Sequence, residues 1–209
     1  MKKIDLNTWE RKEFFECFSA NKMPMFGLTT PLNVTKVYNF VKKNNISFYF
    51  ALGYALFRAL RDVEDFNIRV VDGEIVLNQY DWLNFVCKRP NERNIRFIDV
   101  KFEDDVVKFC KSAKEVDDNQ TTLFGTVNRD PECIAYITCV PWIECTDLTH
   151  PKSGDANDFI PRFGWDKIKE VDGEKFVNFN VEANHRTIDG FAIAELVKKL
   201  NYYIDELFK

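Results

Sequence analysis

A histidine followed at short range by an aspartate and a glycine is the arrangement in this sequence best suited to chemistry. His185, Asp189 and Gly190 lie between a strand-like run, 175–184, and a helical pattern. If the alternation of the run continues, the imidazole points to its apolar side, where burial favours the neutral ring of a general base. Asp189 could anchor a cation, and Gly190 would let the chain turn sharply. A structural core histidine before an Asp-Gly turn explains the same residues, so both this interpretation and the general base stay open.

The run that leads to His185 has two different faces. Polar positions alternate with apolar ones along it: Asn178, Asn180, Glu182 and Asn184 against Val177, Phe179, Val181 and Ala183. A half-buried sheet with a wet face accounts for this pattern, and so does a face that lines a subunit interface or a hydrated channel. The other histidine, His150, precedes Pro151 in a polar stretch and is interpreted as a loop residue.

Helical and strand-like patterns are mixed along the chain. Helices are predicted over about 8–20, 34–44, 47–59 and from 190 onward, with a weaker pattern over 104–116. Strands are predicted at 68–71, 75–77, 83–87, 95–102, 134–140, 162–169 and 175–184. The tetrapeptide Val-Asp-Gly-Glu at 71–74 and again at 171–174 predicts two hairpins. Without strict βαβ alternation, this order favours a mixed-sheet α/β or α+β domain.

Length and composition limit the class of protein. The chain has 209 residues, enough for one domain, and its 45% hydrophobic content, with 20 Phe, can build a core. The net charge of −4 argues against nucleic acid or an anionic membrane as a partner. The polar start and an apolar stretch at 48–57 that is too short to span a bilayer predict a soluble, cytoplasmic protein.

The six cysteines do not form a metal-binding pattern. None belongs to a C-x-x-C pair, and the chain has two histidines. Zinc sites usually show closely spaced ligand pairs, so no structural metal is expected. In a reducing compartment the cysteines are predicted to be small buried hydrophobic side chains.

Five separated motifs together resemble those of the chloramphenicol acetyltransferase family, whose catalytic-domain fold is shared with dihydrolipoyl acyltransferases. They cover nearly the whole chain, in the family's order: Trp9, Arg11 and Phe15; Phe26, Leu28 and Thr29; Pro141 and Trp142; Phe159 and Pro161; and His185, Asp189, Gly190 and Phe191. The resemblance implies one acyltransferase domain over 1–209, a two-layer α/β sandwich with a mixed sheet flanked by helices.

The resemblance also implies a chemistry. The chain would be an O-acetyltransferase with acetyl-CoA as co-substrate and no metal, acting in antibiotic resistance. His185 would be the general base on a hydroxyl of a small-molecule alcohol, and Asp189 would pair with Arg11 as an orienting device. Thr138 stands where the family places the hydroxyl that stabilises the oxyanion.

Binding residues and assembly follow from the same resemblance. Trp142 and Lys167 would lie in the CoA channel, and Met25 and Phe26 would contact the acceptor. The family implies a homotrimer, in which His185 of one copy faces an acceptor pocket completed by its neighbour. The amide-rich strand face would suit such an interface.

The sequence departs from the family mainly around the acceptor. Residues that differ from the common pattern are Thr138 in place of Ser, Gly164 in place of Thr, Ile168 in place of an aromatic residue, Asn184 and Ala192 in place of His, and the segment 143–157. These changes put chloramphenicol in doubt more than acyl transfer. An acyltransferase for another alcohol or thiol stays open, as does a non-catalytic trimeric binding protein. Without a lipoyl domain or linker, a dihydrolipoyl acyltransferase is not expected.

Overall fold

A mixed seven-stranded sheet organises the computed structural model, which describes residues 1–126, 130 and 132–209. The helices are α1 (Lys12–Ser19), α2 (Thr35–Asn44), α3 (Phe48–Asp62), α4 (Val106–Asn119) and α5 (Gly190–Leu207). The strands are β1 (Lys2–Lys3), β2 (Met25–Asn33), β3 (Ile68–Val71), β4 (Glu74–Leu77), β5 (Trp82–Cys87), β6 (Arg96–Lys101), β7 (Ile134–Val140), β8 (Arg162–Asp166), β9 (Lys169–Val171) and β10 (Glu174–Asn184). In this part of the chain, no helix is long and apolar enough to cross a bilayer.

The sheet has the order β2-β10-β8-β7-β5-β6, and β9 adds a short pairing to β10. β7 runs parallel to both β5 and β8, whereas the other pairs are antiparallel. A second, antiparallel sheet has the order β1-β4-β3. The predicted mixed-sheet class and the five predicted helices are confirmed. One predicted strand, 162–169, is instead divided into β8 and the start of β9.

Both predicted hairpins are present, joining β3 to β4 and β9 to β10. Asp72 and Gly73 have φ angles of 52° and 79°, and Asp172 and Gly173 have 51° and 81°. Two consecutive positive φ angles match the twist of the flanking strands, which is why Asp-Gly favours this turn.

Strand β2 was not predicted from the sequence. Gly27 and Pro31 interrupt its alternation, yet it pairs with β10 along its whole length, from Met25 opposite Asn184 to Asn33 opposite Phe176. β2 is an edge strand, and an edge tolerates proline because one side of the strand needs no ladder donor. The pairing partner, and not the local sequence, therefore makes this segment a strand.

The apolar face of β10 lies in the main core, as predicted. Its inward side chains are fully buried: Val177, Phe179, Val181 and Ala183. Helix α3 also approaches the sheet closely, because a Cβ added at Gly53 would lie 2.5 Å from Cε1 of Phe85. The absence of a side chain at Gly53 therefore allows the helix and the sheet to pack directly together.

The polar face of β10 is covered by the chain itself. Three of its side chains are at most 2% exposed: Asn180, Glu182 and Asn184. The covering segment is 143–160. The Asn178 amide donates to the Cys145 carbonyl (2.8 Å), and the Asn184 amide donates to the Ala156 carbonyl (2.9 Å). The interpretation of this face as wet is wrong, because the segment that follows β7 covers it and accepts hydrogen bonds from Asn178 and Asn184.

The cysteines are buried only in part. Three are buried (Cys87, Cys110 and Cys133), Cys139 and Cys145 are partly exposed, and Cys17 is exposed, contrary to the expectation of uniformly buried side chains. Burial raises the pKa of Cys87 and of Cys110 to about 12, which keeps both thiols protonated.

Candidate active site

His185 follows β10 directly, and hydrogen bonds hold both its backbone and its ring. Its backbone N–H donates to the Pro24 carbonyl (2.6 Å), and its Nδ1 lies 2.7 Å from the Ile188 carbonyl oxygen. A carbonyl oxygen only accepts, so Nδ1 carries a proton, and this bond selects the tautomer in which Nε2 keeps its lone pair. This is the tautomer that a general base acting through Nε2 requires.

Three phenylalanine rings pack around the imidazole. Ring centroids of Phe14, Phe18 and Phe26 lie 5.4, 4.1 and 4.3 Å from that of His185. Phe26, a predicted acceptor-contacting residue, is thus in direct contact with the imidazole. Phe14 and Phe18 were not predicted as site residues, although their spacing of four positions places them on one face of the first helix.

Arg11 and Asp189 form the predicted ion pair. Arg11 Nη2 donates to Asp189 Oδ2 (3.1 Å) and to the Thr187 carbonyl (3.2 Å), and Arg11 Nε lies 3.6 Å from the Asp65 carboxylate. Asp189 Oδ1 accepts from the Ala192 N–H (2.9 Å), which caps α5. The pair therefore ties the turn after β10 to the chain just before α1 and to the start of α5.

Asp189 is expected to stabilise the fold through its cap and its charge. Asp189→Ala removes both and should lower the free energy of unfolding by roughly 1–2 kcal/mol. Asp189→Asn keeps a good capping side chain and should cost less. Burial disfavours the charged carboxyl, but the Ala192 amide and the Arg11 guanidinium outweigh it and lower the pKa of Asp189.

The sign of the pH dependence follows from this lowered pKa. The stabilisation by charge is fully present above the unfolded-state pKa of about 3.9 and is lost as the pH falls through the folded-state value. Urea unfolding at about pH 7 and about pH 3 measures it. The difference between the wild type and Asp189→Asn should shrink at the lower pH. A constant difference would show that the carboxylate charge does not stabilise the fold.

Thr138 lies on β7 opposite Gly164, where the surrounding side chains leave little room for a Cβ. A Cβ added at Gly164 would lie 2.9 Å from Leu148 Cδ2, 3.1 Å from Thr138 Cγ2 and 3.5 Å from His150 Cε1. These three side chains therefore converge over Gly164, and a threonine at that position would displace them.

Thr138 also lines an open cavity of about 450 Å³ on the polar face of the sheet. Six of its lining residues are Asn84, Val86, Phe97, Tyr136, Thr138 and His150. Among the described residues, His185 does not line this cavity. Sequence reasoning identified only Thr138 among these six as a site residue.

The strand register separates Thr138 from His185 within one chain. Thr138 is opposite Gly164, and Gly164 is opposite Asn180, so Thr138 is level with Asn180 two strands away. His185 lies five positions further along, which is roughly 17 Å at the rise of a strand, and the two strands add roughly 10 Å sideways. One copy of the chain therefore does not bring these two predicted catalytic side chains together.

His150 is in a loop, as interpreted from the sequence, but it is buried against Glu182. Its side chain is 11% exposed and that of Glu182 is 3% exposed. Both Nδ1 and the backbone N–H of His150 lie 2.7 Å from Glu182 Oε2, and Lys152 Nζ lies 2.9 Å from Oε1. The sequence signal that could have located this cluster was the lone carboxylate on the amide-rich face.

The other predicted binding residues lie at two ends of the sheet. Trp142 is 66% exposed after β7, and Lys167 is exposed after β8. The Lys167 N–H donates to the Ile143 carbonyl (3.1 Å), so these two segments are held side by side. Met25 lies opposite Asn184 at the other end, next to the histidine turn.

The chain is similar to known chloramphenicol acetyltransferases along almost its whole length. It is 25% identical to chloramphenicol acetyltransferase 2 of Escherichia coli, over 99% of this chain and 98% of that protein. It is 24% identical to the chloramphenicol acetyltransferase of Proteus mirabilis, over 97% of this chain and 94% of that protein.

Solved structures share the fold. A chloramphenicol acetyltransferase superposes with a TM-score of 0.85 at 20% identity, covering 97% of this chain and 99% of that one. The cubic core of the pyruvate dehydrogenase multienzyme complex superposes with a TM-score of 0.65 at 18% identity, covering 92% and 85%. A family model described as chloramphenicol acetyltransferase matches residues 1–201. The chain therefore belongs to the chloramphenicol acetyltransferase family.

Proposed function

We propose that this chain is an acetyl-CoA-dependent O-acetyltransferase in which His185 is the general base. The observation that carries the proposal is the 2.7 Å contact between His185 Nδ1 and the Ile188 carbonyl, which leaves the lone pair on Nε2. Family membership supports acyl transfer as the reaction class. The Arg11–Asp189 pair supports it by holding the histidine turn in place without taking part in proton transfer.

His185, Thr138 and the two substrates account for every proton and bond in the proposed reaction. His185 Nε2 accepts the proton of the acceptor hydroxyl, and the hydroxyl oxygen forms a bond to the thioester carbonyl carbon of acetyl-CoA. The Thr138 hydroxyl donates to the oxyanion of the tetrahedral intermediate. The carbon–sulfur bond then breaks, and the departing thiolate takes the proton back from His185. The products are an acetyl ester and free CoA.

The exposed ends of β7 and β8 offer a surface to which acetyl-CoA can bind. Trp142 offers an indole face on which a purine can stack, and Lys167 offers an ammonium group for a phosphate. Both side chains are exposed, and the hydrogen bond from Lys167 to Ile143 keeps their segments adjacent.

The separation of Thr138 from His185 supports a site shared between two copies. A closed ring of copies, such as the homotrimer expected from the family, can place His185 of one subunit at the cavity of the next. Exposed apolar side chains near the histidine turn fit such an interface. Phe191 is 70% exposed and Leu28, on the edge strand β2, is 45% exposed.

A thiol-release assay with acetyl-CoA and chloramphenicol tests the proposal. Release of CoA that depends on the alcohol is the expected result. If acetyl-CoA binds but chloramphenicol gives no release, a panel of other alcohols and thiols identifies the acceptor. If acetyl-CoA neither binds nor is consumed with any of them, the acetyltransferase proposal fails and a non-catalytic binding protein is favoured.

A further inference from the structure

A row of polar side chains crosses five strands on the face of the sheet opposite to the core. The register aligns, from one strand to the next, Asp99, Asn84, Tyr136, Arg162 and Glu182. Three of them line the cavity: Asn84, Tyr136 and Arg162. The cavity at which the proposed function places His185 of a neighbouring copy therefore includes polar side chains in a lining that is otherwise mostly apolar.

The charges at one end of this row are already paired. Arg162 lies 2.6 Å from the Asp158 carboxylate, and Glu182 is held by Lys152 at 2.9 Å. Burial disfavours ionisation of Glu182, but hydrogen bonds from Lys152 and His150 outweigh it and lower the pKa of this carboxyl. Glu182 is therefore an ionised group that accepts hydrogen bonds.

The ionised Glu182 determines the tautomer of His150. A carboxylate only accepts, so His150 Nδ1 donates to it and the neutral ring keeps its lone pair on Nε2. Burial lowers the pKa of His150 against the opposing effects of Glu182 and of the Phe163 backbone, and so favours the neutral ring. His150 Nε2 is buried and makes no hydrogen bond with any described residue.

Asn84 shows the same arrangement on the neighbouring strands. Its Nδ2 donates to the Asp99 carboxylate (2.7 Å), which orients the amide so that Oδ1 is the remaining acceptor. Within the part of the chain that the structure describes, Asn84 Oδ1 is also buried without a hydrogen-bond partner. Two residues of one cavity wall thus each keep an unused acceptor atom, and each is oriented by a carboxylate behind it.

We infer that His150 and Asn84 determine acceptor specificity, by accepting hydrogen bonds from donor groups that the acceptor carries besides the hydroxyl to be acetylated. This inference rests on the proposed function. Buried acceptors that a ligand leaves unpaired weaken its binding, so the pair favours polyhydroxy or amino-hydroxy alcohols over alcohols with apolar substituents. Glu182 is a positioning residue that holds the imidazole with Nε2 free.

Two alcohols of the same carbon skeleton test the inference. 2-Amino-1-phenylpropane-1,3-diol carries additional donors, and 3-phenylpropan-1-ol carries none. We expect the wild type to have the higher kcat/KM for the aminodiol. His150→Leu should lower the ratio of the two kcat/KM values by roughly 10- to 100-fold. Val171→Ala, at the exposed end of β9 and not among the described residues that line the cavity, should leave this ratio unchanged.

Calorimetric titration with the aminodiol separates this inference from the proposed function, because it needs no turnover. His150→Leu should weaken the measured Kd by roughly 10- to 100-fold even if no acetyl transfer is found. Asn84→Leu provides a second variant in case His150→Leu does not fold, with the same expected direction. An unchanged Kd and an unchanged ratio in a folded variant would overturn the inference, as would a wild type that prefers the phenylpropanol.

Discussion

His185→Ala should lower the rate of alcohol-dependent CoA release by roughly 100- to 10,000-fold, the usual contribution of a positioned general base. The reason is that Nε2 of His185 is left with a free lone pair by the bond from Nδ1 to the Ile188 carbonyl. The measurement is thiol release at saturating acetyl-CoA, with the alcohol varied, so that kcat and KM are obtained separately.

The control for this variant must exclude a folding or binding defect. His185→Gln retains a polar side chain of similar size, and it should be as inactive as the alanine variant because an amide is not a base. The acetyl-CoA affinity of both variants, and the unfolding midpoint of the glutamine variant, should stay close to those of the wild type. If either variant kept more than about a tenth of the wild-type rate, His185 would not be the general base.

Two inactive variants should restore activity when their subunits are mixed. Thr138→Val keeps the shape of the side chain and removes the hydroxyl, which should lower kcat by roughly 100- to 1,000-fold. Because Thr138 and His185 are far apart in one chain, a shared site needs one residue from each copy. Co-expression of His185→Ala with Thr138→Val at equal levels should therefore give about one quarter of the wild-type activity, since about one quarter of the sites are intact.

The matched control uses a chain with both substitutions, co-expressed with the wild type. For a site shared between copies, this mixture also gives about one quarter of the wild-type activity. For a site within one chain it gives about half, and the mixture of single variants stays as inactive as its parents. Activity is measured by thiol release on the whole pool of subunits, isolated through one tag that both chains carry. A control at about half of the wild-type activity, together with an inactive mixture of the single variants, would contradict the shared site.

Elements whose sequence signals lie in neighbouring residues were predicted, whereas an element that depends on a distant pairing partner was not. The apolar spacing of α5 and the alternation of β10 are present in consecutive residues, so both elements were predicted. The Asp-Gly pairs at Asp72 and Asp172 specify their turns in two residues. β2 could not be predicted in this way, because its state depends on pairing with a strand about 150 positions later in the sequence.

The candidate site shows the same difference between what the sequence indicates and what contacts between distant residues decide. The resemblance to the family gave His185, Asp189 and Arg11 as candidate site residues, and the structure brings Arg11 into contact with Asp189. The tautomer of His185 depends on a backbone carbonyl, which has no sequence signature. The burial of His150 depends on Glu182, which is 32 positions away and on the polar face of another element.

The sequence by itself determined the family and the mixed α/β class, because short motifs and periodic apolar positions encode them, and the resemblance to the family gave His185, Asp189 and Arg11 as the candidate site residues. Only the tertiary structure decided that the segment 143–160 covers the polar face of β10, and that Thr138 lies far from His185 within one copy. It also decided that Asn84, Tyr136 and His150 line one cavity together with apolar side chains. The physical reason is that strand register and loop packing arise from contacts between residues distant in sequence, whereas spacing and composition report only on neighbours.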